Sequence, residues 1–318
     1  MGDMDFTSSN REVRLDASET VFFKRQLEHV DQTMYTKFFP ENLARRYIPT
    51  QPEIPDWANV YTWMMYESFG RANIISSHAD DLPRADARGT EKSRIIKDVG
   101  ASYGYNIREI KRAAAEGRNL ESMRAVSARM AVENEIDFIL AFGYSQYNLE
   151  GLLTISGANS FTATTKSGGG TSWDNATPDE IIDDLNGIIT KAVNDMKQAG
   201  GAMFAKFVIL LPIDKYNKIA TKRIGDGSDK TILRFVLENN PWIEGIEPWH
   251  RCSGAGANSS DRMVAYPRNP LVIAGIVPME FTTIPPQLRN FEYLINCMAS
   301  CGGVVCRYPV AVVYCDGI

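Results

Sequence analysis

Four of the five cysteines, Cys297, Cys301, Cys306 and Cys315, fall within the last 22 positions and are the first residues whose type and spacing could do chemistry. Zinc or iron-sulfur ligation needs four ligands at knuckle-like spacing. Here Cys297 and Cys301 lie four apart on an expected helix around Phe291 to Ala299, Cys306 follows five later, and no fourth ligand stands near. They are read as reduced, buried small hydrophobes. His78 with Asp80 and Asp81 forms a second chemically competent ligand group. His29, His78 and His250 are the three histidines, none in an H-x-x-x-H pair, and the 78–81 group is read as a charged loop tip. Gly168-Gly169-Gly170 lacks the Lys-Ser or Lys-Thr of a phosphate loop. Gly143-Tyr144-Ser145-Gln146-Tyr147 starts like a nucleophile elbow but puts Tyr where the second Gly must allow the sharp turn. No catalytic group, metal or cofactor is therefore expected.

Charge gives the next clue. From Arg84 to Arg129 there are eleven Lys and Arg against six Asp and Glu, a local +5 in a chain whose net charge is -5. A polyanionic partner would meet the chain there, although the stretch is neither an RNA-binding sheet nor a helix-turn-helix signature. Part of it is accounted for by helix-surface pairs, with Arg108 to Arg112 facing Glu109 and Glu116. The remaining composition, 44% hydrophobic and 23% charged over 318 residues, is that of a globular protein. No apolar run reaches the ~18 residues of a membrane span, so no membrane partner is expected. The polar, acidic start from Met1 to Asn10 is unlike a signal peptide, which points to folding in a cytoplasm.

The elements that must position these residues read as follows. A helix opening near Ser18, with Val21, Leu27, Val30, Met34 and Phe38 at helical intervals, leads into Pro49, Pro52 and Pro55, an arm and a stiff linker. Trp57 to Ile75 reads as a strand, Ser76 to Thr90 as a charged tip and Arg94 to Val99 as the returning strand. Such a hairpin is marginal alone and needs outside support. A short helix over Ile107 to Glu116 precedes a long one from Asn119 to Phe142, whose Met123, Ala125, Ala128, Met130 and Ala131 form the expected packing face. Thr177-Pro178-Asp179-Glu180 is a capping box for a helix with Ile181, Leu185, Ile188, Ala192 and Met196 on one face. Met203 to Leu211 then reads as a buried strand, so this region is α/β. Loops are expected from Asn239 to Asn269, a strand over Leu271 to Val277, and a final strand from Gly303 to Tyr314.

The order of these parts closely resembles the major capsid proteins of tailed bacteriophages, in the branch related to encapsulins. The most specific stretches are Trp57 to Gly70, Ala101 to Ala115 with Tyr103-Gly104-Tyr105-Asn106-Ile107-Arg108-Glu109-Ile110, and Arg124 to Leu153 with Glu150-Gly151-Leu152-Leu153. The resemblance implies an α+β chain with the Hong-Kong-ninety-seven-type capsid fold: an N-terminal arm (1–56), an extended loop (57–106), a peripheral domain with a spine helix (107–156), an axial domain (157–274) and a return to the peripheral domain (275–318).

It also implies a function. The subunit would form hexamers and pentamers of an icosahedral shell, assembled in a host cytoplasm around double-stranded DNA held by non-specific contact. An encapsulin-like compartment holding enzyme cargo and an enzyme using the cysteine-rich C-terminus are the competing readings. His78, Asp80, Asp81, Arg84, Asp86 and Arg88 would be the intersubunit loop tip. Arg124 and Arg129 would face the genome, unless they pair with Glu121, Glu133 and Glu135. Portal, scaffolding or cement proteins are further partners the resemblance allows. An arm starting almost at Met1, without the scaffold-like segment of some relatives, points to a separate scaffolding protein.

Overall fold

The 23-residue helix expected from the Ala-rich stretch forms the backbone of one half of the molecule. The computed structural model describes residues 42–51, 53–70, 84, 86–116, 120–198, 206–225, 227 and 229–318. The expected N-terminal helix, and His78, Asp80 and Asp81, lie outside the described residues. In chain order the helices are α1 (Ala44–Tyr47), α2 (Ile107–Glu116), α3 (Leu120–Phe142), α4 (Pro178–Gln198), α5 (Ile213–Thr221) and α6 (Ile232–Asn239). The strands are β1 (Val60–Phe69), β2 (Asp86–Ile95), β3 (Lys97–Asn106), β4 (Gly143–Tyr144), β5 (Leu149–Glu150), β6 (Asn159–Phe161), β7 (Phe207–Leu211) and β8 (Ile243–Pro248). They continue as β9 (Arg262–Tyr266), β10 (Ile273–Ile276), β11 (Met279–Thr283), β12 (Gln287–Arg289), β13 (Glu292–Cys301), β14 (Gly303–Cys306) and β15 (Val313–Asp316).

One half is a five-stranded mixed sheet in the order β6-β15-β9-β7-β8. β7 is buried along its whole length, as its unbroken apolar run requires of a strand covered on both faces. α4 lies on the sheet through Ile181, Leu185, Ile188 and Ala192, all buried. Its capping box forms as expected: the Thr177 N–H donates to Glu180 Oε2 at 2.7 Å, and the Glu180 N–H to Thr177 Oγ1 at 3.4 Å. The Ser167 N–H also donates to Glu180, which ties the glycine loop to the helix start. These bonds, led by those from the Thr177 and Ser167 backbone, hold the Glu180 carboxyl down at about 2.

Beneath α4 a fully buried Lys166 ammonium meets the Asp184 carboxylate at 2.5 Å. Asp184 also accepts from Trp173 Nε1 at 2.8 Å and from Thr164. An ion pair in this setting persists only because its remaining hydrogen-bonding capacity is met.

The other half is a sheet in which β13 is the hub, paired with β3 along its full length and with β11 and β12 on the opposite edge. The helix expected over Phe291 to Ala299 is thus a strand. Ile295, Cys297, Ala299 and Cys301 alternate into the interior, and pairing on both sides overrides the local helical spacing. Two strands, β8 and β9, also run through the stretch expected to be loop, 239–269. β8, with its Gly245 and Pro248, becomes a strand by pairing with β7, and the short β9 by lying between β7 and β15.

α3 packs by its C-terminal half, with Val132, Ile136, Ile139 and Leu140 buried. Of the expected Ala/Met face only Ala128 is buried, and Met123, Val126 and Met130 remain exposed.

β1 and β2 pair with each other in full register, Val60 to Ile95 through Phe69 to Asp86, and with no third strand among the described residues. The return strand therefore begins at Asp86, inside the stretch expected to be tip. Lys97–Asn106, expected as part of the extended loop, belongs to the β13 sheet. Asp86 to Ser93 has no inside-outside alternation of burial because neither face of β2 is covered over that length. β11, β13 and β14 run beside α3, whereas β15 inserts between β6 and β9 in the five-stranded sheet. Residues 42–318 consequently form one compact unit rather than separable domains.

Candidate assembly surfaces

The projecting hairpin is fixed at its root by long-range contacts. Arg94 meets Glu150 at 2.5 Å and donates to the Asn148 carbonyl at 2.8 Å. Arg307 donates to the Tyr61 hydroxyl and to Gln51 Oε1, each at 2.8 Å. Tyr61 stacks on Trp63 with ring centroids 5.7 Å apart, and both pack on Ile96, Ile276 and Val305. One face of the sheet thus sits on the body. Alternation sends Val60, Met64, Tyr66 and Ile95 to the other face, where Met64 is 64% and Tyr66 70% exposed. Neighbouring exposed Trp57 adds to this apolar surface.

The Glu150-Gly151-Leu152-Leu153 segment acquires a structural meaning. The Leu152 and Leu153 N–H groups donate to the Leu140 and Ala141 carbonyls, closing the C-terminal end of α3. A Cβ on Gly151 would stand 2.4 Å from the Ala141 backbone, so only glycine allows this approach. Gly143, at φ +66°, makes the turn out of the helix. On the far side of α3, Asp137 accepts from the Ala44 N–H at 2.9 Å and from Arg251 at 3.1 Å. Arg45 meets Glu133 at 3.3 Å and Glu280 at 3.1 Å. The chain from 44 to 50 is therefore held on the body.

The remaining expected site residues fall apart in instructive ways. Arg84, Asp86 and Arg88 are exposed on or beside the far end of β2. Arg124 pairs with neither Glu133 nor Glu135, and the Glu121 side chain lies outside those described. Arg124 meets Glu109 at 3.1 Å, donates to the Gly104 carbonyl and lies 4.9 Å over the Tyr105 ring. Hydrogen bonding from Arg124 lowers the Glu109 carboxyl below its ordinary range. Arg129 is exposed, 5.9 Å from the Phe281 ring. Glu133 and Glu135 are engaged elsewhere, by Arg45 and by the Tyr144 hydroxyl. Nothing local in the sequence marks Arg94, Glu150, Arg307 or Asp137, because the contacts that fix the hairpin root and the 44–50 segment span more than 50 positions.

The cysteines are all buried and free. Burial pushes the Cys301 thiol up to about 11, and those of Cys306 and Cys315 to about 12, which removes the thiolate that nucleophilic or ligand chemistry requires. Among the described residues no group of three or more His, Cys, Asp or Glu could hold a metal ion. Among the same residues no helix is long and apolar enough to cross a membrane.

A body with its own closed core, bearing a rigidly rooted two-stranded sheet whose outer face is apolar and uncovered, is built like a shell-forming subunit with the Hong-Kong-ninety-seven-type fold. Solved structures agree on the fold. The capsid of Myoviridae phage XM1 matches with a TM-score of 0.77 at 18% identity, over 92% of this chain and 98% of that one. The capsid of a native GTA particle matches at 0.67 and 11% identity, over 95% and 99%. A virus-like particle from Pyrococcus furiosus matches at 0.55 and 16% identity, over 85% and 91%. No curated protein matches the sequence. The family model for the major capsid protein matches residues 70–318. The chain belongs to the major capsid protein family, and its role is structural, in the shell of a virion.

Proposed function

We propose that the chain is the subunit of an icosahedral shell, built of hexamers and pentamers, that encloses the double-stranded DNA genome of a tailed phage, and that the β1–β2 hairpin joins each subunit to its neighbour. The outer hairpin face carries this reading. Fully covering a Val, Ile or Met side chain is worth roughly 1.5–3 kcal/mol each, and Val60, Met64, Tyr66 and Ile95, 45–70% exposed, leave about half or more of that unrealised in a single subunit. A neighbouring copy, repeated by the symmetry of a closed shell, supplies the cover. The charged end of the hairpin, with Arg84, Asp86 and Arg88 and, outside the described residues, His78, Asp80 and Asp81, docks on complementary charges of that neighbour. Assembly takes place in the host cytoplasm.

Electron microscopy of particles purified from expressing cells tests this. Closed particles filled with double-stranded DNA in an infected host are expected, and sedimentation as monomers or small oligomers under every assembly condition, scaffold included, would refute it. The likeness to the Pyrococcus furiosus particle supports a second reading, an encapsulin-like compartment. Closed particles that hold an enzyme and no nucleic acid would establish it. Replacing Arg84, Asp86 and Arg88 together by Ala separates the docking idea from assembly itself: particles of unchanged stability would remove those charges from the interface.

A further inference from the structure

If the shell encloses a nucleic acid, some part of its subunit must face the phosphates, and the reading above named Arg124 and Arg129 on α3. The structure commits Arg124 to Glu109, Gly104 and Tyr105. Arg129 is exposed and has no ion pair among the described residues, and a denser group of such cations lies one helix earlier. On α2, Arg108, Lys111 and Arg112 fall within an arc of about 100° at 3.6 residues per turn, with Ile110 on the opposite side of the helix. All three are exposed, and none forms an ion pair with an acid among the described residues. Glu109, the acid nearest in sequence, is the one held by Arg124. Arg124 of the neighbouring helix thus takes the hydrogen bonds of Glu109, and Arg112 adds only a smaller electrostatic pull on that carboxyl.

The face is also held in place. The Ile107 N–H donates to the Phe291 carbonyl at 3.1 Å, and Asn106 Oδ1 accepts from the Arg108 N–H at 2.9 Å, so the first turn of α2 is tied to the β12–β13 turn. From Arg108 to Arg112 the helix rises ~6 Å, close to two phosphate steps at about 3.4 Å per strand. The local excess of positive charge sits in a chain of net charge -5, so this patch is set against the general surface.

Resting on the shell reading above, we propose that Arg108, Lys111 and Arg112 form the subunit's contact with the phosphate backbone of enclosed double-stranded DNA, without reading its sequence. Each phosphate contact releases counterions, giving a slope of about 0.9 in log affinity against log salt.

The test uses the full-length subunit, kept below its assembly concentration, and a random-sequence DNA duplex titrated from 50 to 200 mM salt, a range that brackets roughly physiological screening. The wild type should bind with a salt slope that falls by about 2 to 3 in the R108Q/K111Q/R112Q variant. The charge-preserving R108K/R112K variant should keep the wild-type slope. Particles of the glutamine variant should form normally and retain less DNA. No binding by the wild type, or an unchanged slope in the glutamine variant, overturns the proposal. Loss of shells in the glutamine variant with duplex binding intact also overturns it and makes this face a contact with an acidic surface of a second copy. If the wild type forms no shells at all, the shell reading fails, while the duplex titration still decides the role of α2.

Discussion

The five-stranded sheet with α4 and the β1–β2 hairpin are both built from strands, yet they solve opposite problems. In the first, β7 is buried throughout and even its charged pair, Lys166 with Asp184, has every partner it needs inside the same chain. In the second, a ten-residue pair of strands has one face on the body only near its root and the other face open. One region is stable for itself and the other is shaped for something outside it. A capsid subunit needs both, because it must fold before it assembles and must withhold part of its apolar surface until it does.

The largest way to break this contrast is inside the self-sufficient half. Asp184→Ala leaves the Lys166 ammonium buried without its counter-ion and should cost about 3–5 kcal/mol, read as a lower denaturant midpoint for the unassembled subunit. The double change Lys166→Met with Asp184→Leu removes both charges and should recover most of that loss. A single variant as stable as the wild type would mean that the pair is not held as described.

Cutting the hairpin at its root comes next. Arg94→Ala strands a partly covered Glu150 and should cost about 1–3 kcal/mol. Hydrogen exchange should locate the loosening in β1 and β2 rather than in β7 and β9. Exchange that rises equally in both regions would erase the distinction between them.

Changes to the outer face should barely touch the subunit. Met64→Asp with Tyr66→Asp is expected to stay within about 0.5 kcal/mol of the wild type in unfolding, because these side chains are already in water. The same variant should yield no shells by sedimentation. Normal shells, or an unfolded subunit, would each contradict the assignment of this face to a neighbour.

Acid sharpens the comparison by a smaller amount. Lys218 and then Lys215 hold the Asp174 carboxyl down at about 2, and the capping bonds do the same for Glu180. Both values lie below those of the unfolded chain, so the stability these groups contribute is complete above pH ~4.5 and is lost as pH falls toward about 2. Both groups are open to solvent, and the effect should be modest. Thermal melts of the unassembled subunit from pH 5 to 2 should show the start of α4 loosening first. A Glu180→Gln variant with the same acid dependence as the wild type would exclude the cap as its source.

Much of this molecule was legible in its residues. The capping box Thr177 to Glu180, the apolar face of α4, the buried run of β7 and the 23 residues of α3 are all local patterns, and a periodicity or cap signal is set by neighbours within a few positions. The family resemblance carried the rest of the fold, and Gly151 shows why its motif is specific: a side chain there would collide with the end of α3. What the sequence could not decide was whatever depends on distant partners. β13 looks helical until β3 and β11 flank it, and β2 looks like a loop tip because it has no covered face to impose alternation. Arg124 looks free for a ligand until Glu109, on a different helix, takes it, while Arg108 and Arg112, which by spacing look paired with Glu109, form no ion pair with it. Charge pairing and strand pairing are contacts between segments brought together by the whole chain, so local spacing proposes the candidates and only the tertiary structure assigns them.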